Sequence, residues 1–548
     1  LFTGTDSYTI NSAALSNVSV SGTTTNASNS ITVSSTAGLI PGMPITGTGI
    51  PAGAYITAIR DIGTFLISAN ATTGATNTLY ASGVTGALTS GAAGDFIIHQ
   101  YAPAQTLTLN APIADNAAGN SINFVKNGPG QVTMGRLPLS VSTTFANAST
   151  TLTVGSTTGL AVGMYVVGTG IAPNTRITAI TSGTSITVGT ATTAAGTSTS
   201  LQYSDNTYTG TTTVNQGVLS FSNFLQLGAG VNKVLYLRDG ATLQYTGSVD
   251  RDMGAASTAN GYKTYSVLGG NANFEVTTSG VTLTLNGGIA GTGGISKTGP
   301  GILKLAAAES YTGPTNILAG TLQLSAADRI PDTSPLYIAA GAKFDKVAGQ
   351  DYVGALSGSG IIDTGAGTGT FGVGLANINT TWTGTLTGTG ATNFTTRGVS
   401  VITLAMPTTA TWTGTQYIDT GTIRIGSSVQ QFPTGATWTI GNIQSSINAG
   451  GWLDLNGYSQ TVGALNFYGS ASTVNSQAGV YLGAGGVLTI GNTITTNAHY
   501  NGGTQAAFIT GTAGAAVSMQ NAQRAITVYR SLNLGAGEAE LVIDADIQ

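Results

Sequence analysis

Along the chain, apolar residues come in short pulses of three to six, alternate with polar ones, and break at Gly, Asn, Asp or Pro. "GVLSF" (217–221), "GTLQL" (320–324), "GTIRI" (421–425), "GWLDL" (451–455) and "GVLTI" (486–490) share one form. "GATLQY" (240–245) and "GAKFDKV" (341–347) are longer variants. Such runs predict short β-strands bounded by turns. Long amphipathic runs with a period of 3.6 are missing, so almost no helix is expected. Only "LAAAES" and "AADRI" are helix-tolerant, and both are short. Alternate residues of a strand share a face, so Leu322 and Leu324 are expected inside and Gln323 outside. One coil of this kind leaves its apolar face uncovered, whereas a stack at about 4.8 Å per layer covers it. The copies recur about every 20 to 35 residues, in the range of solenoid coils.

Two longer repeats interrupt this pattern. "NASNSITVSSTAGLIPGMPITGTGIPAGAYITAI" (26–59) matches "NASTTLTVGSTTGLAVGMYVVGTGIAPNTRITAI" (147–180). After a one-residue slip the match continues through "GTFLISANATT" and "GTSITVGTATT". Each unit has about 60 residues, a length that folds alone only marginally, and its alternation predicts a small all-β module. The second is flanked by "VKNGPGQVTMG" (125–135) and "SDNTYTGTTTVNQGVLSF" (204–221). Joined, the flanks parallel "SKTGPGILKLAAAESYTGPTNILAGTLQL" (296–324) almost position by position. The module therefore reads as an insertion at a loop tip, where insertions are tolerated. The expected organisation is an N-terminal solenoid or edge segment (1–21), module 1 (22–82), solenoid (83–141), module 2 (142–203) and solenoid (204–548).

The pattern Lys-x-Gly-x-Gly-x-Leu-x-Leu, then Tyr-Thr-Gly-x-Thr, then Gly-x-Leu resembles the passenger-associated transport repeat of bacterial autotransporters. Lys297, Gly299, Gly301, Leu303, Leu305, Tyr311, Thr312, Gly313, Thr315, Gly320 and Leu322 carry it. The split copy carries it through Lys126, Gly128, Gly130, Tyr208, Thr209, Gly210, Thr212, Gly217 and Leu219. "VGALSGSGII" (353–362) and "LDLNGYSQTVGAL" (453–465) are also similar to passenger segments. The resemblance implies a right-handed parallel β-helix, exported and displayed or released at the cell surface. It points to fold more than to function, because passengers include adhesins, enzymes and structural proteins.

Composition agrees with an ordered, exported chain. Only 7% of the 548 residues are charged, against about a quarter in a typical soluble domain. Disorder goes with high net charge and few apolar residues, but here 41% are hydrophobic and the net charge is −4. The absence of cysteine fits bacterial export. No apolar run is long enough for a membrane-spanning helix, and no basic stripe suggests nucleic acid. The chain opens at Leu1 without an initiator Met, so it reads as a mature or excised piece, and no C-terminal membrane barrel follows.

Candidate chemistry is sparse. Polysaccharide-cleaving β-helices need clustered carboxylates, and 21 acidic residues are spread over the chain. Asp250, Arg251 and Asp252 form the tightest cluster and read as an exposed turn. Asp345, Lys346 and Asp351 read as a solvated edge. His99 and His499 stand far apart, without a nucleophile set. "GAGTGTFGVG" (365–374) lacks the Lys-Ser/Thr and helix of a phosphate cradle. No catalytic, cofactor or metal residues are assigned. Trp382, Trp412 and Trp438 are candidates for stacking on a glycan, with core filling as the preferred alternative. Tyr208 and Tyr311 hold equivalent coil positions and read as stacked rung residues.

The function expected is therefore an extracellular structural protein of a bacterial surface, self-assembling into a filament, lattice or matrix. Leu541, Val542 and Ile543, in "ELVIDADIQ", are the candidate joint between copies. The alternative is an adhesin whose modules bind a glycan or protein on a host or neighbouring cell. A polysaccharide-acting enzyme is the least favoured class.

Overall fold

The computed structural model describes residues 8–10, 17–81, 87–90, 93–116, 120–228, 233–253, 262–346, 349–441, 450–468, 478–497, 507–520, 523–529 and 541–548. These fall into two compact units, Leu1–Ser266 and Val267–Gln548. Among the described residues the fold is all-β. Its one helical element is the 3-10 turn Phe224–Leu227, capped by Asn223.

In the first unit, Tyr8–Ile10, Thr106–Leu109, Gln131–Met134, Val218–Phe221 and Thr242–Tyr245 stack in that order as parallel strands. Leu107, Val132, Leu219 and Leu243 form one register-matched buried column through the last four. A second parallel ladder runs Gly94–His99, Ile122–Asn127, Thr212–Val214, Lys233–Arg238.

Two antiparallel sheets of six strands interrupt these ladders. One uses Val18–Thr24, Ser30–Val33, Ile45–Thr46, Ile56–Asp61, Thr64–Ile67 and Ala75–Ala81. The other uses Leu139–Phe145, Thr151–Val154, Tyr165–Val167, Ile177–Ser182, Ser185–Val188 and Gly196–Ser204. Each closes a core of its own, with Ile31, Met43, Ile56 and Phe65 in one and Leu152, Met164, Ile177 and Ile186 in the other. The slip placed after Ile59 and Ile180 is a misalignment. Phe65 pairs with Ile31 as Ile186 pairs with Leu152, so the offset is constant there. The extra residue falls later, at an irregularity opposite Thr143–Phe145, where Ser198 takes φ +49°. The two sheets meet where Thr46 Oγ1 donates to the Ile180 carbonyl at 2.8 Å and Asn17 Nδ2 to that of Thr157 at 2.7 Å.

In the second unit one parallel ladder runs from Ala272–Val276 to Leu541–Asp544, through strands that include Ile295–Thr298, Thr315–Ile317, Gly421–Ile425, Gly451–Asp454, Gly479–Tyr481 and Ala507–Thr510. A second runs from Thr282–Leu285 to Thr385–Thr387. A third runs Gly349–Val353, Gly369–Val373, Thr392–Thr396, Gln416–Ile418, Trp438–Ile440, Leu465–Tyr468, Thr493–Asn497, Ala525–Val528. Leu303, Leu322, Phe344, Ile362 and Leu386 are register-matched and buried. Alternation works as the physics of a strand requires. Leu322 and Leu324 are buried, while Gln323 faces out and its amide donates to Asp345 at 2.8 Å.

One register recurs in both units. Lys126 is opposite Val214 and Val132 opposite Leu219, as Lys297 is opposite Ile317 and Leu303 opposite Leu322. The first pair is reached across the antiparallel sheet of 139–204, the second along a short coil. Arg136 and Asp205, just outside that sheet's first and last strands, form an ion pair of 2.6 Å.

Of the charged trio near residue 350, Asp345 stays on the outward face, but Lys346 and Asp351 are not a solvated edge. Lys346 and Asp351 are both buried and lie 3.4 Å apart. Asp351 stands in the inward column of its ladder, in register with Phe371.

Candidate functional site

The Lys, Tyr and Leu positions of the transport repeat face inward, away from any ligand, while Thr209 and Thr312 are exposed. Tyr208 and Tyr311 are fully buried, and each hydroxyl bonds the hydroxyl of the Thr four residues on, Thr212 at 2.8 Å and Thr315 at 2.5 Å. Lys126 and Lys297 are buried too. Lys126 Nζ donates to the carbonyls of Gly128 at 2.5 Å and Gln216 at 2.8 Å. Lys297 Nζ donates to those of Thr298, Gly299 and Ala319 at 2.6, 2.7 and 3.1 Å. Burial lowers both ammonium groups to about 8. The repeat is thus a coil-closing device, in which one cation ties two turns together.

One candidate binding surface is the outward face of the 349–468 ladder. Period-two alternation puts Phe371, Phe394, Gln416, Trp438 and Leu465 inside, and that same register puts three rows outside. Gln350, Thr370 and Asn393 form one row. Tyr352, Gly372, Thr395, Tyr417, Thr439 and Asn466 form the next. Arg397, Asp419 and Tyr468, each just past or at its strand's end, supply a third. Together they line an open groove of about 520 Å³. At one end the Tyr352 ring lies over Gly372, where a Cβ would collide with it. The Arg397 guanidinium covers that ring at 4.4 Å and pairs with Asp419 at 3.4 Å. Burial raises the Tyr352 hydroxyl pKa, against the pull of Arg397. Asp332, beside this end, is also raised, first by partial burial and then by Asp328.

The three tryptophans proposed for stacking are elsewhere. Trp382 and Trp412 have no exposed surface and Trp438 has 3%. Trp412 donates its indole N–H to the Thr387 carbonyl at 2.8 Å. Trp412 and Trp438 pack into an aromatic core with Phe371, Phe394 and Phe432. An indole without an open face cannot stack on a sugar, so the preferred core role is the one they take. Leu541, Val542 and Ile543 are half-buried on a strand paired in parallel with Ala507–Thr510. His99 is exposed and stacks on Tyr101 at 5.9 Å, and His499 lies outside the described residues. Asp250 and Asp252 are exposed. Sequence reasoning missed Tyr352, Tyr417 and Arg397, although alternation from Val353 and Ile418 carries the signal for the two tyrosines. Among the described residues no group of acidic and histidine side chains could hold a metal ion, and no helix is long and apolar enough to cross a membrane.

Comparison with known proteins adds the family context. The passenger-associated transport repeat family matches residues 199–221 and 295–324. The Adhesin BmaC autotransporter of Brucella suis biovar 1 (strain 1330) is 34% identical over 213 residues, 36% of this chain and 6% of that much longer protein. Two bacteriophage tailspikes align over 82% of the chain. One, from Acinetobacter baumannii bacteriophage AP22 and in complex with capsular saccharide, is 11% identical over 74% of its own length, with a TM-score of 0.15. The other, from Pseudomonas phage LKA1, is 10% identical over 72%, with a TM-score of 0.16. Scores that low carry no argument. The two repeat matches and the similarity to the adhesin mark this chain as an autotransporter passenger sequence, and with that comes secretion to the cell surface.

Proposed function

We propose that the chain is the displayed part of a surface adhesin and that the groove over 349–468 holds an extended glycan. The groove itself carries the reading. Its outward side chains repeat with the rungs, six strands spanning roughly 24 Å over five spacings. A polymer with its own repeat matches such a surface better than a compact metabolite does. Tyr417 and Tyr468 offer ring faces for stacking, and the Thr and Asn side chains offer hydrogen bonds. Asp419 is the one carboxylate among the lining residues and is already paired with Arg397, which favours binding over paired-carboxylate hydrolysis.

The test is retention of the purified chain on immobilised capsular and cell-wall polysaccharides. Arg397→Ala and Tyr417→Ala should each lower binding at least tenfold with an unchanged melting curve. Full binding by both variants, or no retention of the wild type, would sink the reading.

Two features of architecture belong with it. The coils are taken as right-handed, as in parallel β-helices. Segments 22–82 and 142–203 are taken as insertions, supported by the separate cores and by the recurring register of Lys126 and Lys297.

A second reading, self-assembly into a filament or matrix, is favoured by one observation. Leu541, Val542 and Ile543 keep half-exposed apolar surface, and Ile526, Val528 and Ile547 are more exposed still. A second copy of this chain would cover them. Sedimentation of the wild type and Val542→Lys decides it, because a wild type that stays monomeric at high concentration removes the reading.

A further inference from the structure

The fourth tryptophan, Trp452, is the one that is not buried. It lies on Gly451–Asp454, with buried Leu453 beside it and its own ring outward and only half-buried. On the next rung its register partner is Gly479, where a Cβ would run into the indole. The indole therefore leans across that glycine onto Tyr481, with ring centres 4.7 Å apart and planes 20° from parallel. Tyr481 is 50% exposed.

Beside the pair is an open hollow of about 510 Å³, lined by Asp454, Asn456, Tyr481, Thr510 and Thr512 and by three glycines. Asp454 is fixed in place. The Arg424 Nε donates to its Oδ2 at 2.8 Å, and the backbone N–H of Asn456 donates to its Oδ1 at 2.9 Å. None of these residues lines the groove over 349–468.

We propose that Trp452 and Tyr481 form a second glycan site, a stacking platform for the apolar face of a pyranose ring whose hydroxyls are met by Asp454, Asn456, Thr510 and Thr512. The chemistry selects this class of ligand. The half-exposed Tyr481 ring, backed by the stacked indole, fits the C–H face of a sugar with equatorial hydroxyls. An oriented carboxylate, an amide and two hydroxyls at the ring edge fit those hydroxyls. A purely apolar partner would leave that polar rim without water or partners.

Tryptophan fluorescence tests the site directly, because Trp452 is the only one of four tryptophans with appreciable exposure. Acrylamide should quench one class of tryptophan in the full chain, and Trp452→Phe should abolish that class. Cellohexaose, chitohexaose and mannohexaose are then titrated. At least one should protect the quenchable class. Tyr481→Ala and Asp454→Asn, both of which keep Trp452, should weaken that protection at least tenfold. Tyr352→Ala, in the groove, should leave it unchanged, so failure of the groove reading and failure of this one are separable. The proposal is overturned if none of the three saccharides protects Trp452, if both platform variants bind as tightly as the wild type, or if protection follows protein concentration rather than saccharide, which would assign the rings to a contact between copies.

Discussion

Lys297 fills the space that Gly320 leaves open: its ammonium sits 2.9 Å from where a Cβ on Gly320 would stand, and it donates to the carbonyl of Ala319 beside it. Lys126 and Gly217 repeat the arrangement at 2.6 Å. Both glycines hold left-handed backbone, at φ +66° and +71°. Gly320→Ala should therefore cost about 1–2 kcal/mol for the backbone alone, and more because the methyl also meets the carbonyls of Gly299 and Gly301. Lys297→Met should cost about 1–3 kcal/mol by leaving buried carbonyls without their donor. Urea unfolding reads both. A Gly320→Ala variant as stable as the wild type would separate the glycine from the lysine.

The buried cations give stability a distinctive dependence on pH. Burial lowers Lys233 to about 7 and Lys126 and Lys297 to about 8. Between those values and the ordinary 10.5, the unfolded chain holds protons that the folded chain has released, so raising pH stabilises the fold. Each such lysine steepens the slope by at most about 1.4 kcal/mol per pH unit. Glu309 works in the opposite direction. Burial raises it to about 8, against the Ile289 amide it accepts from and against Arg329. Between 4.5 and 8 the folded chain holds the extra proton, and stability falls as pH rises. Urea midpoints should accordingly dip near pH 7 relative to pH 5, where the lysine slopes begin to outweigh that of Glu309, and recover by pH 10. Glu309→Gln should flatten the acid arm and leave the alkaline arm intact. A midpoint that declines steadily from pH 8 to 10 would contradict the lysine assignment.

The rungs were legible in the sequence because a strand has only two faces. "GTLQL" announces Leu322 and Leu324 as core and Gln323 as surface, and the strand obeys. The same rule applied to "GWLDL" places Leu453 and Leu455 inside and Trp452 outside, as found. The other tryptophans each sit in a "TWT" segment, and alternation read from Ile440 to Trp438 already points that one inward. Lys346 and Asp351 misled for a related reason. Charge suggests solvent, but Asp351 shares a face with Val353 and follows it into the core. The groove was not legible as a unit. Arg397 and Asp419 meet only because the coil between them is 22 residues long, and coil length depends on turns that no local pattern fixes.

If segment 142–203 is an insertion, it can be removed. The natural cut is slightly wider, because Arg136 and Asp205 already touch at 2.6 Å and the first and last strands of the sheet start just beyond them. Joining these two residues through a short Gly-Ser linker should preserve the parallel ladder and its β circular-dichroism signal. One side effect is expected. Tyr165 and Val167 cover Leu225 of the 3-10 turn, so the shortened chain should aggregate until Leu225→Thr is added. Loss of the β signal in the chain that carries both changes would refute the insertion reading.

The Lys346–Asp351 pair gives a test that distinguishes stability from specificity. The two groups are 3.4 Å apart with about 1% of each side chain exposed, and the ammonium also donates to the Gly349 carbonyl at 2.6 Å. Desolvation penalises both charges: burial pushes the carboxyl up and the ammonium down, and each partner pulls the other back. Removing one partner strands the other in the core, so Lys346→Met alone should cost about 3–5 kcal/mol. That deficit should shrink at pH 5, because a carboxyl with no counter-charge protonates and ceases to be a buried ion. Replacing both, as Lys346→Met with Asp351→Leu, removes the desolvation of both charges and extends the apolar column that begins at Phe371. The double variant should match the wild type or exceed it by about 1–4 kcal/mol. A full double-mutant cycle in urea reads the coupling. If the double variant is as unstable as the sum of the single ones, the two groups act independently, and the pair does not hold this end of the ladder together.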